Sequence, residues 1–130
     1  MLTEKKILIV EDEAMIALDL EDVVMSRGAK AAVCLDLETA LKKAEVDQFD
    51  AAILDYNLGG RTVLPVADTL QRKGIPFVFN TAMADFENLS ARYNGALVCR
   101  KPANESELVE LLVKLTSGDA GSSGGDSSGA

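Results

Sequence analysis

The sequence predicts a three-layer α/β fold built on a parallel five-stranded sheet. Five short apolar runs recur along 130 residues: ILIV at 7–10, AAVCL at 31–35, AAIL at 51–54, PFVF at 76–79 and ALVC at 96–99. Each run is continuous rather than alternating, as strands covered on both faces are. The segments between them have helical spacing, so the chain reads as five βα units. Right-handed crossovers then place helices on both faces of the sheet. The length suits one domain with one core.

The first strand, ILIV, runs into Glu11, Asp12 and Glu13. The first helix gathers Ile16, Leu20, Val23 and Val24 on one face and ends at Gly28. Asp36 follows the second strand and caps the second helix. The third strand stops on Asp55, and Tyr56, Asn57, Leu58, Gly59 and Gly60 form a loose turn after it. Thr62 is expected to cap the third helix, with Pro65 in the first turn, Val63, Val66, Ala67 and Leu70 on the core face, and Gly74 beyond the end.

The fourth strand ends in Asn80 and Thr81. The fourth helical segment, DFENLSARYNG, carries the weakest stripe, Phe86, Leu89 and Tyr93, between a cap at Asp85 and Gly95. The fifth strand runs into Arg100, Lys101 and Pro102. Asn104 and Glu107 have capping-box spacing at the start of a last helix with Leu108, Leu111, Leu112 and Leu115 on one face. One domain is therefore expected over residues 1–116, and a flexible Gly/Ser-rich tail over 117–130.

The formal net charge of −8 argues against nucleic acid and against anionic membrane as partners. No apolar run approaches the ~20 residues that span a bilayer, and the N-terminus lacks a signal-peptide layout, so a cytoplasmic protein is expected. Cys34 and Cys99 sit in apolar runs and read as core thiols. The chain has no histidine, which removes His-dependent triads and His metal sites.

In a parallel α/β sheet the chemistry gathers at the carboxyl ends of the strands. With the first and third strands as neighbours, Glu11, Asp12 and Asp55 crowd together. Two carboxylates about 4 Å apart repel by about 4 kcal/mol at an effective dielectric near 20, so a divalent cation is the natural companion. An all-oxygen set suits Mg2+. With the Thr81 hydroxyl and the Lys101 ammonium, the group describes a phosphoryl site in which a carboxylate attacks. Glu13 reads as a solvated acid.

These residues resemble the receiver domain of a two-component response regulator over about residues 4–116. ILIVEDE is similar to the family's first strand and acidic pair, ILDYN to its phosphoacceptor strand, Thr81 in FVFNTA to its hydroxyl, and Lys101 in RKP to its lysine. The resemblance implies a flavodoxin-like (βα)5 sandwich with strand order 2-1-3-4-5. It implies Mg2+ (or Mn2+) held by Glu11, Asp12, Asp55 and the backbone carbonyl of Asn57, and a cis peptide before Pro102. Asp55 would take a phosphoryl group from a sensor histidine kinase or a histidine phosphotransfer protein. With no output domain, the chain is expected to signal by binding a protein or to act as a phosphate sink, and not to be an enzyme on other substrates.

DYNLGG with PFVFNTA resembles more narrowly the receivers paired with HWE-type histidine kinases, which carry a PFxFATGY stretch. Asn80, Ala82 and Met83 depart from that stretch. Val98 stands where receivers carry a switch aromatic, and Ala103 where Phe is usual, so the signal is expected to leave through Ala82, Met83, Phe86, Tyr93 and Val98. Asn57 and Met83 should flank the path of a hydrolytic water and modulate its rate. Met15, Leu18 and Met25, with Val109 and Val113, offer a candidate protein-binding face. Two other readings stand beside this one: a receiver-like module that is never phosphorylated, and a small phosphatase of the haloacid-dehalogenase type. Against the second, Asn57 occupies the place of that family's second Asp.

Overall fold

The computed structural model describes residues 2–81, 97–100 and 105–117. The chain runs through β1 (Lys6–Val10), α1 (Ala14–Met25), β2 (Lys30–Cys34), α2 (Leu37–Val46) and β3 (Ala51–Asp55). Two short strands follow, β4 (Asn57–Leu58) and β5 (Arg61–Thr62). Then come α3 (Leu64–Arg72), β6 (Phe77–Thr81), β7 (Leu97–Arg100) and α4 (Glu105–Thr116).

Five strands form one parallel sheet in the order β2-β1-β3-β6-β7. Counted within that sheet, this is the flavodoxin-like order 2-1-3-4-5. β3 lies in the middle, and all five of its residues are buried. Its alternating side chains feed two cores. Leu8, Val10, Ala52, Leu54 and Phe79 pack with α2 and α3. Ile7, Ile9, Ala51, Ile53 and Val78 pack with α1 and α4. Each fully buried aliphatic side chain of this kind contributes about 1.5–3 kcal/mol relative to exposure. Small Ala51 and Ala52 let helices approach the middle of the sheet from both sides.

β2 departs from the expected double cover. Ala31, Ala32 and Val33 are only partly buried, and Leu35 lies beyond the strand and is exposed. The strand order explains it, because β2 is an edge with one neighbour.

Helix starts follow the sequence in part. Asp36 caps α2, its Oδ1 accepting the Thr39 backbone N–H at 2.7 Å. Thr62 does not cap α3. It is held in β5 opposite Asn57, and Val63 takes the N-cap position without a side-chain bond, ahead of Pro65 in the first turn. The Val63 N–H bonds Tyr56 O at 2.8 Å, which ties the N-cap residue back to the hairpin. Gly28 and Gly74 follow α1 and α3 as expected.

The helix faces are also revised. α1 buries Ala17, Leu20 and Val24, with Ile16 and Val23 partly buried. Met15, Leu18 and Met25 are exposed, as the stripe implies. Val109 is not part of an outer face, because it is buried, and Val113 packs partly against the same core. α4 touches both the sheet and α1, which widens its apolar stripe. Burial raises the thiol pKa of both Cys34 and Cys99, in keeping with core thiols.

Among the described residues, no helix is long and apolar enough to cross a membrane. The fourth helical segment with Asp85, Phe86, Leu89, Tyr93 and Gly95, the Lys101–Pro102 peptide, Ala103, Asn104 and residues 118–130 lie outside them.

Candidate functional site

The acids meet at the carboxyl edge of the sheet. Val10 pairs with Leu54, so the next residue on each strand, Glu11 and Asp55, emerges beside the other. One oxygen from each of Glu11, Asp12 and Asp55 lies within 4.8 Å of the others. Glu11 and Asp55 are buried, while Asp12 is exposed and opens the cluster to solvent. The backbone fixes this arrangement. The Glu11 N–H donates to Cys34 O at 3.1 Å, and Glu11 Oε2 accepts the Glu13 backbone N–H at 3.1 Å. Glu13 is exposed, with no side-chain capping bond at the start of α1.

The turn after Asp55 is not loose. β4 and β5 form an antiparallel hairpin in which Leu58 opposes Arg61 and Asn57 opposes Thr62. Gly59 and Gly60 have φ of 62° and 91°. Two successive left-handed residues are what a two-residue type I′ turn demands, and glycine supplies them without a side-chain clash. Asn57 Oδ1 accepts the Gly60 N–H at 2.8 Å, so the turn orients its carboxamide. At the tip, Arg61 donates to Glu38 of α2, and that bond holds the Glu38 carboxyl below the usual range.

The hairpin register also aims the backbone of Asn57. Val63 N–H bonds Tyr56 O, so Tyr56 and Val63 are the hydrogen-bonded pair. Pairs alternate in an antiparallel ladder, which makes Asn57 and Thr62 the non-bonded pair. The Asn57 carbonyl therefore points away from β5. A Cβ on Gly59 would lie 3.9 Å from Asp12 Oδ2, so the hairpin runs along the acid cluster.

Thr81 is buried at the end of β6, one residue past Asn80, which opposes Asp55 in the register. Val98 is partly buried and opposes Phe79, facing the α2–α3 core. The structure thus brings together Glu11, Asp12 and Asp55, with Asn57 and Thr81 on adjoining segments. Lys101, Ala82, Met83, Phe86 and Tyr93 lie outside the described residues.

Three carboxylates this close are costly alone. At 4.8 Å and an effective dielectric near 20, each pair repels by about 3.5 kcal/mol. The donor set is all oxygen, with no sulfur or nitrogen, and one side faces water. Such a set fits Mg2+ or Mn2+, which favour carboxylate and carbonyl ligands and retain waters.

Two features were not legible as site elements beforehand. The hairpin was hidden because its strands are two residues each, although GG between NL and RT was a turn signal. The burial of Asn80 beside Asp55 was signalled only by an amide inside the apolar run FVFNT.

The response regulator receiver domain family matches residues 7–113. Among solved structures, the chain is similar to the response regulator protein TrrA of Thermotoga maritima, in complex with Mg2+ and BeF. Identity is 30%, the TM-score is 0.75, and the match covers 85% of this chain and 98% of that one. A sensor histidine kinase receiver domain from Pseudomonas aeruginosa, with a magnesium ion in its active-site cleft, matches at 23% identity and TM-score 0.78. That match covers 89% of this chain and 100% of that one. A CheY-like receiver domain from Methanospirillum hungatei shares the fold at 24% identity and TM-score 0.76, with 87% and 94% covered. No protein of curated function matches the chain.

Proposed function

The chain belongs to the response regulator receiver domain family, and from that premise we propose that Asp55 accepts a phosphoryl group from a histidine on a partner protein. One observation carries the reading: the buried Asp55 carboxylate shares an all-oxygen cluster with Glu11 and Asp12 at the open edge of the sheet.

An Asp55 oxygen attacks phosphorus, a P–O bond forms, the P–N bond breaks, and the imidazole leaves with the electron pair. Glu11, Asp12, Asp55 and the Asn57 carbonyl would hold Mg2+ (or Mn2+), which would supply positive charge against the phosphoryl oxygens. The Thr81 hydroxyl donates to one of those oxygens, and the Lys101 ammonium balances another. Asn57 and Met83 modulate the approach of a hydrolytic water to the acyl phosphate. The chain acts on its own phosphoryl group only and turns over no external substrate.

The donor is a sensor histidine kinase, of HWE type by the DYNLGG and PFVFNTA stretches, or a histidine phosphotransfer protein. Histidine kinases draw on ATP, which sets the exchange in the cytoplasm. The added charge, about −1.5 to −2, is passed on by protein binding through the segment after Thr81, because Val98 has no ring to turn. Incubation with acetyl phosphate tests the reading. One phosphoryl group per chain is expected, lost on chelation of Mg2+ and in Asp55→Asn. A chain that stays unlabelled by acetyl phosphate and by a panel of histidine kinases would sink it.

A further inference from the structure

Asn80 is a polar residue in an apolar place. It is 2% exposed and lies in β6 between β3 and β7, with Phe79 before it and Thr81 after it. The register opposes it to Asp55 on one side and Cys99 on the other. Register partners in a parallel sheet project to the same face, and residues two apart along a strand share that face. Ile9, Ile53 and Val78 all face the α1–α4 core. Glu11, Asp55 and Asn80 each follow one of them by two positions. The three therefore form a row of oxygen-bearing side chains across three adjacent strands. Within that row the Asn80 Oδ1 is buried and accepts no hydrogen bond from the described residues.

A buried amide oxygen without a donor destabilises the fold, and an apolar side chain there would not. Asn80 also opposes the acid Asp55 in the register, which favours a cationic donor. The orphan oxygen is an observation independent of the acid cluster, and it asks for a group that arrives with positive charge.

We propose that Asn80 is a positioning residue whose carboxamide oxygen accepts a hydrogen bond from the cationic group that neutralises Asp55. That group is a divalent cation, acting through a water it holds. The proposal rests on the reading of Asp55 as a charged acceptor given above.

The test compares wild type, Asn80→Leu and Asn80→Ser by thermal unfolding without divalent cation, Mg2+ calorimetry and acetyl phosphate labelling rate. Asn80→Leu is expected to unfold no earlier than wild type in the absence of Mg2+. It should bind Mg2+, or label, roughly three- to tenfold less well. Asn80→Ser keeps an acceptor oxygen and should recover part of the loss. Unchanged Mg2+ affinity and labelling in folded Asn80→Leu and Asn80→Ser would overturn the proposal and leave the amide a structural defect. Wild type that neither binds Mg2+ nor labels would overturn the phosphoacceptor reading instead, and this proposal with it.

Discussion

The Val63 backbone N–H donates to the Tyr56 carbonyl at 2.8 Å, and that single bond joins the third strand to the third helix. It closes the hairpin over Asn57 and ties the N-cap of α3 to it. It also leaves the Asn57 carbonyl turned out of the hairpin. The loop after the acceptor strand is thus a folded element, further tied to α2 through Arg61 and Glu38.

The hairpin turn should be sensitive to a methyl group that touches nothing. Gly60 has φ of 91°, and a Cβ there would meet no atom within 4 Å. Gly60→Ala therefore isolates backbone strain, expected to cost about 1–2 kcal/mol. Urea unfolding measures it. Gly59→Asn, at φ of 62° where Asn is tolerated, should cost much less. Equal losses in the two variants would show that the turn is not type I′.

The acid cluster should trade stability for ligand binding. Replacing Asp55 with Asn removes one charge from a group packed within 4.8 Å. In the absence of divalent cation, Asp55→Asn should raise stability by about 1–3 kcal/mol. Wild type should gain stability as Mg2+ is added, by the linkage of binding to folding. The variant should gain little. Thermal melts across a Mg2+ series with an EDTA control read both effects.

Much of this was legible in the chain because a buried parallel strand has a plain signature. AAIL and the four other runs, with no alternation, marked strands covered on both faces, and their order came from the family resemblance. The acids at strand ends were readable because register brings Glu11 and Asp55 together once β1 and β3 pair. Where expectation missed, tertiary context was the reason. Thr62 was drawn into a two-residue strand, which no period-2 pattern can reveal. Val109 was buried although it lies off the apolar stripe that helical spacing marks. Val33 and Leu35 lie on or beyond an edge strand, and edge position is a property of the sheet order.

Lys73 is expected to hold α2 and α3 together. Its ammonium, at the end of α3, donates to the carbonyls of Ala44 at 2.7 Å, Glu45 at 3.2 Å and Asp47 at 2.9 Å. These are carbonyls at the C-terminus of α2, where positive charge is favoured. Lys73→Met keeps the aliphatic stem and loses the charge, so it should lower stability by about 1–2 kcal/mol in urea unfolding. Lys73→Arg should retain part. A neutral Lys73→Met would mean that water serves the three carbonyls equally well.

Asp36 makes the fold's stability depend on acid pH in a defined direction. The Thr39 backbone bond holds its carboxyl below the ordinary value of 3.8, with a Thr39 side-chain contribution in the same sense. A group whose folded pKa is depressed stabilises the fold fully above its unfolded pKa. That contribution then fades as pH falls through the lower folded value. The loss attributable to Asp36 should therefore begin below about pH 4 and deepen further into acid. Asn caps a helix about as well as Asp but does not titrate. Asp36→Asn should match wild type near neutral pH and show a shallower decline below pH 4, whereas Asp36→Ala should be weaker at every pH. Parallel unfolding curves for wild type and Asp36→Asn between about pH 5 and pH 2.5 decide it. Identical slopes would mean that the cap is not charged when it is made.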